Sequence, residues 1–171
     1  YRRYIPNARR AMTIGKGLQW LLNQQINGSW KDNLGITSMA VLCLLNIGYP
    51  EEDPYLADAL QYILGRQNTD GSFGNYPTYE TSTAIWALVA AHNPEYHDEI
   101  DAARRFLVTI QWDETEGIDE SDPRYGGFGY EPGVRPDLSN TQFALMALDA
   151  AYKELKLEKP SPADPSGWPY K

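Results

Sequence analysis

The sequence predicts an all-α fold built as an array of three helical hairpins, and three observations carry that prediction. A near-identical unit occurs three times: an apolar helix running up to a Gln, a Gly-x-aromatic turn, and a second helix rich in small residues. The units recur at a period of about 40 residues, the spacing of helical-hairpin arrays. The two helices of each unit also differ in character. The odd-numbered helices carry charges such as Asp98, Glu99, Asp101, Arg104 and Arg105, whereas the even-numbered ones are apolar on nearly every face. A helix apolar all round is buried, so the hairpins should form an outer, solvent-facing layer and an inner layer, curved into a ring or arc.

Each element has readable boundaries. Asn7 can cap a first helix over about 8–25, with Ile14, Leu18, Leu21 and Leu22 on one side. The second helix spans about 34–47 and ends at Gly48 and Pro50. Asp53-Pro54, a cap followed by Pro at the first helical position, opens a third helix that ends near Gln67. The fourth covers about 79–91, the fifth runs from Asn93-Pro94 to Gln111, and the sixth covers about 138–155. Ala40, Ala84, Ala87, Ala144 and Ala147 let the inner helices approach closely. The hairpins are thus expected at about 8–48, 53–91 and 94–155 of a repeat domain over 1–159. A Pro/Gly-rich tail follows over 160–171, where Gly167-Trp168 suggests the start of a further repeat.

Composition narrows the function. With 171 residues the chain is one domain's worth. Its 42% hydrophobic and 12% aromatic content argues against disorder. Fifteen Lys and Arg against 23 Asp and Glu give a net charge of -8, which disfavours nucleic acid and anionic membrane surfaces as partners. No apolar run is long enough to span a membrane. The single cysteine, Cys43, lies in the apolar run Val41–Leu45 and reads as a buried core thiol. The chain opens on Tyr1 without an initiator Met, which reads as a trimmed or partial product. The compartment stays open between the cytoplasm and export after signal removal.

The motif set is Gln25/Gly28/Trp30, Gln67/Gly71/Phe73 and Gln111/Gly127/Phe128. It resembles the QW motif of squalene and oxidosqualene cyclases, and the whole chain resembles the prenyltransferase and squalene-cyclase repeat superfamily. That resemblance implies an α/α toroid of five to seven hairpins, of which three would make a partial or open ring. It also implies that each Gln ties the end of an outer helix to the start of an inner one beneath the aromatic ring. Gln has both a donor and an acceptor to offer unpaired helix-end groups.

The third copy departs most from the others. Sixteen residues separate Gln111 from Phe128, against four and five in the earlier copies, and the insert Trp112–Asp122 is acidic. It reads as a solvated loop, with binding of calcium or a magnesium diphosphate as the alternative. The segment from Gly126 to Thr141 is similar to the Asp-x-x-His-Thr segment of protein prenyltransferase β subunits, where the His ligates zinc. Here that position is Asn140, a poor zinc ligand, and the family's Asp-x-Cys pair has no counterpart. His92 and His97 lie away from this segment and read as satisfied surface histidines. No metal or cofactor is nominated.

Class II cyclases, by the same resemblance, protonate their substrate with the middle Asp of an Asp-x-Asp-Asp-Thr-Ala segment. Aligned on Thr141, Asp137 matches the first Asp, Ser139 takes the acid's place and Asn140 the last Asp's. Protonating an alkene demands an unusually strong, desolvated carboxylic acid, which serine is not. Asp137 and Glu80 remain the candidate catalytic carboxylates. Asp137 otherwise caps the inner helix, and Glu80 caps or pairs with Arg135.

Three functions compete. The first is a non-catalytic repeat module, a binding or assembly scaffold completed by a protein partner or by the remaining repeats of the same protein. The second is an isoprenoid-binding protein or divergent terpene cyclase, with Tyr79, Trp86, Tyr130, Phe143 and Met146 lining a cavity whose π faces would suit polyene or cationic groups. The third is a polysaccharide-active toroid, suggested by Gly167-Trp168-Pro169 alone.

Overall fold

Six helices build the fold in the computed structural model, which describes residues 7–157. They are α1 (Asn7–Leu22), α2 (Leu34–Asn46), α3 (Pro54–Leu64), α4 (Pro77–Ala90), α5 (His97–Thr109) and α6 (Leu138–Glu154). The tail at 160–171, with Gly167-Trp168-Pro169, lies outside the described residues, as do the side-chain contacts of Asn7. Two expected caps are in place. Asp53 accepts from the Tyr55 N–H at 3.0 Å ahead of Pro54, and Asp137 accepts from the Asn140 N–H at 2.9 Å. Asn33 caps α2 in the same way.

The outer helices α1, α3 and α5 stop at Leu22, Leu64 and Thr109, two or three residues before the Gln to which the sequence ran them. The chain needs those residues to turn back. In the first copy two short strands, β1 (Gln25–Ile26) and β2 (Ser29–Trp30), pair antiparallel across Asn27 (φ 50°) and Gly28 (φ 73°). Both φ values are positive, the requirement of a two-residue hairpin that Asn-Gly meets best. The second copy repeats the arrangement as a single bridge, Gln67 to Phe73.

In the inner layer α4 packs between α2 and α6, with α3 and α5 behind it. Ala40, Ala84, Ala87, Ala144 and Ala147 are buried, as expected for close approach of the inner helices. At Gly35 the approach of α4 is so close that a Cβ would lie 2.5 Å from Tyr79 Cε1. Two of the hydroxyls buried along α4 bond back to its own turns, Ser82 to the Thr78 carbonyl and Thr83 to those of Tyr79 and Glu80.

The expectation that every inner helix is buried all round holds for α4 and fails for its neighbours. α2 exposes Ile36, Met39 and Cys43, and α6 exposes Leu138, Leu145 and Met146. Spacings of three and four in α2, and of seven from Leu138 to Leu145 in α6 with Met146 beside it, put each set on one side of its helix. Cys43 is therefore an exposed thiol and not a core one, because α2 stands at the edge of the inner layer with helix on one flank only. α1 is likewise less buried than its pattern implied: Leu22 is buried and Leu18 and Leu21 are partly so, while Ile14 faces solvent.

Candidate functional site

The two candidate carboxylates sit at the N-terminal ends of the inner helices α4 and α6. Glu80 is only 5% exposed, and one oxygen, Oε2, accepts the backbone N–H groups of Asn75 at 2.6 Å and Tyr76 at 2.8 Å. It thus closes the turn that leads into α4, a backbone role in place of the pairing with Arg135 weighed from the sequence. Asp137 accepts from the Asn140 N–H and, at 2.7 Å, from the Asn140 side-chain amide. Burial pushes the Asp137 carboxyl up, but the bonds from Asn140 and Ser139 outweigh it and hold the group below its ordinary 3.8. Asn140, in the place where the zinc histidine or last cyclase Asp would stand, is 2% exposed and orients this cap.

A lowered carboxyl value sets the sign of a pH effect. The stabilisation by ionised Asp137 is present above the unfolded value and is lost as pH falls through the folded one. Asp137→Asn keeps a capping oxygen without the charge. Parent and variant should therefore differ by up to about 1 kcal/mol at pH 7 and converge only as pH falls below the usual carboxylate range, through the lowered Asp137 value, as read from urea midpoints.

The structural motif divides into two ties. Gln25 donates to the Tyr55 carbonyl at 2.7 Å and Gln67 to the Glu99 carbonyl at 2.9 Å, so each Gln reaches the first turns of the next outer helix. This corrects the expected link from outer to inner helix. Gln111 bonds the Gly126 carbonyl within its own copy at 2.8 Å. The outer-to-inner link is made by a residue with no role assigned from the sequence. The N–H groups of Trp30, Phe73 and Phe128 donate to the hydroxyls of Thr37, Thr81 and Thr141 at 3.0, 2.8 and 2.9 Å. The signal was present as a Thr at the head of every inner helix. Gly28, Gly71 and Gly126 hold φ of 73°, 90° and 77°, so the left-handed glycine of copy three is Gly126, one before the expected Gly127. Gly127 instead lies against Pro136, where a Cβ would come within 2.5 Å of the ring.

The aromatic candidates separate. Phe143 of α6 sits between two residues of α4, with its ring 5.2 Å from Tyr79 and 4.9 Å from Trp86. Trp86 and Met146 border a half-open cavity of about 620 Å³ between the C-terminal halves of the inner helices, where Leu42, Leu45 and Val89 supply further apolar wall. Tyr130 does not join them. Its side chain is 51% exposed in the loop before α6, and its carbonyl accepts from the Thr78 N–H.

The acidic insert folds over Trp112, whose indole N–H donates to the Val134 carbonyl and whose ring lies 5.0 Å beneath the Arg124 guanidinium. Its carboxylates serve the loop. Asp113 and Glu116 form a capping box, and hydrogen bonds from Arg124 hold the Asp122 carboxyl down at about 2. Among the described residues no three His, Cys, Asp or Glu side chains are placed to hold a metal ion. His92 and His97 meet Glu154, at 3.2 and 3.3 Å. None of the described helices is long and apolar enough to cross a membrane.

This geometry can be set beside known proteins. The sequence matches the squalene-hopene cyclase C-terminal domain over residues 33–160. The squalene–hopene cyclase of Zymomonas mobilis subsp. mobilis is 34% identical over 121 residues, which cover 67% of this chain and 18% of that protein. A protein of Sinorhizobium fredii named "Probable squalene--hopene cyclase" is 27% identical over 142 residues, 67% of this chain and 22% of that protein. The chain spans about a fifth of the length of these curated relatives. Three stapled hairpins with an inner and an outer helical layer, together with a family match over most of the sequence, place the chain in the squalene–hopene cyclase family, as a cyclase-like module of its α/α-toroid C-terminal domain.

Proposed function

We propose that this module is non-catalytic and works as a binding or assembly scaffold, one arc of a larger ring. The observation that carries this reading is the employment of its two candidate carboxylates. An oxygen of Glu80 is occupied by two backbone N–H groups, and Asp137 is spent on the Asn140 cap. Ser139 stands where the family's proton donor would be, and a hydroxyl cannot protonate an alkene. The exposed apolar stripes of α2 and α6 support the arc, since further hairpins, from more of the same protein or from a partner, would continue the inner layer on both flanks.

Incubation of the purified chain with squalene, followed by extraction and gas chromatography, tests the absence of catalysis. Squalene should be recovered unchanged. A cyclised product that disappears in Asp137→Asn would overturn the reading.

A further inference from the structure

One contact is used twice to join successive hairpins: α3 packs back on α2, and α5 on α4. On the outer-helix side, Leu56, Ala59 and Ile63 of α3 and Ile100, Ala103 and Leu107 of α5 are all buried. Aligned on Gln25, Gln67 and Gln111, these positions are Ile14, Gly17 and Leu21 in α1. There Ile14 is 54% exposed, and a Cβ on Gly17 would meet nothing within 4 Å. On the inner-helix side, Leu34 and Val41 of α2 and Thr78 and Ile85 of α4 are buried, and a hairpin follows each of these helices. Aligned on Thr37, Thr81 and Thr141, the same positions in α6 are Leu138 and Leu145, 91% and 41% exposed. Among the described residues, α1 has no preceding inner helix and α6 no following outer one. Each leaves uncovered the face that its equivalents bury, and the two faces are the two sides of one contact.

The Gly-x-aromatic turns add a second part to this contact. A Cβ on Gly28 would stand 2.6 Å from the Asp58 carbonyl oxygen, and one on Gly71 2.5 Å from that of Ala102. Both carbonyls lie nine residues before the Gln of the following copy, the place that Lys16 holds in α1. In copy three the turn is the one that carries the acidic insert, with six Asp and Glu and no Lys or Arg over 113–122. The first segment of the chain is its opposite in charge. Residues 1–31 hold six Lys and Arg and no Asp or Glu, whereas the rest of the chain holds nine against 23. The helix that suits the open face of α6 both in register and in charge is therefore α1.

We propose that the open face of α6 binds α1 of a second copy of this chain, so that copies join head to tail by the contact that joins hairpins within one copy. Lys16 of the second copy then lies beside the acidic insert, and opposite charge orients the approach. The proposal rests on the scaffold reading and narrows it, since the hairpin that continues the arc is the chain's own.

Two substitutions in the full 171-residue chain test it, Ile14→Lys on the α1 face and Leu145→Lys on the α6 face. Both positions are exposed, so the melting temperatures should match the parent. Gly17→Lys and Leu138→Lys replace them if either disturbs the fold. In sedimentation velocity the parent should associate, and each variant alone should do so at least about tenfold more weakly. Mixed in equal amounts, the two variants should recover a 1:1 pair, because one still offers α6 and the other α1. That pairing should weaken severalfold between about 50 and 500 mM NaCl. An associating parent whose variants stay monomeric when mixed, or an Ile14→Lys chain that associates as the parent does, would overturn the head-to-tail contact and leave the arc standing. Pairing indifferent to salt would remove the charge match that selects a second copy, and would overturn the proposal too. A parent that is monomeric at every concentration would overturn the proposal and the arc together.

Discussion

Gly71→Ala is expected to destabilise the chain by roughly 2–4 kcal/mol. Two costs coincide at this position. The backbone holds φ at 90°, where an L side chain is strained. The new Cβ would also stand 2.5 Å from the carbonyl oxygen and 2.8 Å from the carbonyl carbon of Ala102 in α5. Neither atom can yield without moving the next outer helix. Gly48→Ala separates the two costs. Its φ of 77° carries the same strain, but nothing lies within 4 Å of the added atom, so only about 1 kcal/mol should be lost. Thermal or urea unfolding of both variants beside the parent checks the difference. Equal losses would mean that the Gly-x-aromatic turn is not wedged against the following helix.

Glu80→Ala is expected to cost roughly 1–3 kcal/mol, because it removes the carboxylate that accepts two backbone N–H groups at the entrance to α4. Glu80→Gln keeps an oxygen acceptor of nearly the same shape and should restore at least half of that loss. The pair of substitutions distinguishes a structural carboxylate from one retained for its charge. Urea midpoints at pH 7 supply the measurement, and a Gln variant as unstable as the Ala variant would contradict the turn-closing role.

What could be read from the sequence was local or repeated. Asp53-Pro54 and Asp137 announce helix starts through chemistry that reaches only two or three residues along the chain, and both caps form as read. The threefold unit made the layered hairpins legible. Partners distant in sequence were not legible. Gln25 and Gln67 find their carbonyls 30 and 32 residues onward, in the next outer helix, and no local pattern names those atoms. Asn27-Gly28 is a hairpin turn, but the apolar period of α1 ran the helix to Gln25, into the first strand of that hairpin. Cys43 shows another limit. α2 is apolar on every side, so its sequence cannot tell which stripe faces a neighbour and which faces the open flank. At the candidate site the loss of the cyclase acid at Ser139 was plain from the sequence. That an oxygen of Glu80 is occupied by the turn of Asn75 and Tyr76 required the fold.

The open flanks of α2 and α6 are the physical core of the scaffold reading. Sedimentation velocity of the purified chain over a range of concentrations tests them most directly, beside Leu145→Lys, which places a charge on the exposed stripe of α6. The chain alone should associate as concentration rises, and Leu145→Lys should shift the species toward monomer with the melting temperature unchanged. A folded monomer at every concentration, with Leu145→Lys indistinguishable from the parent, would contradict the incomplete arc.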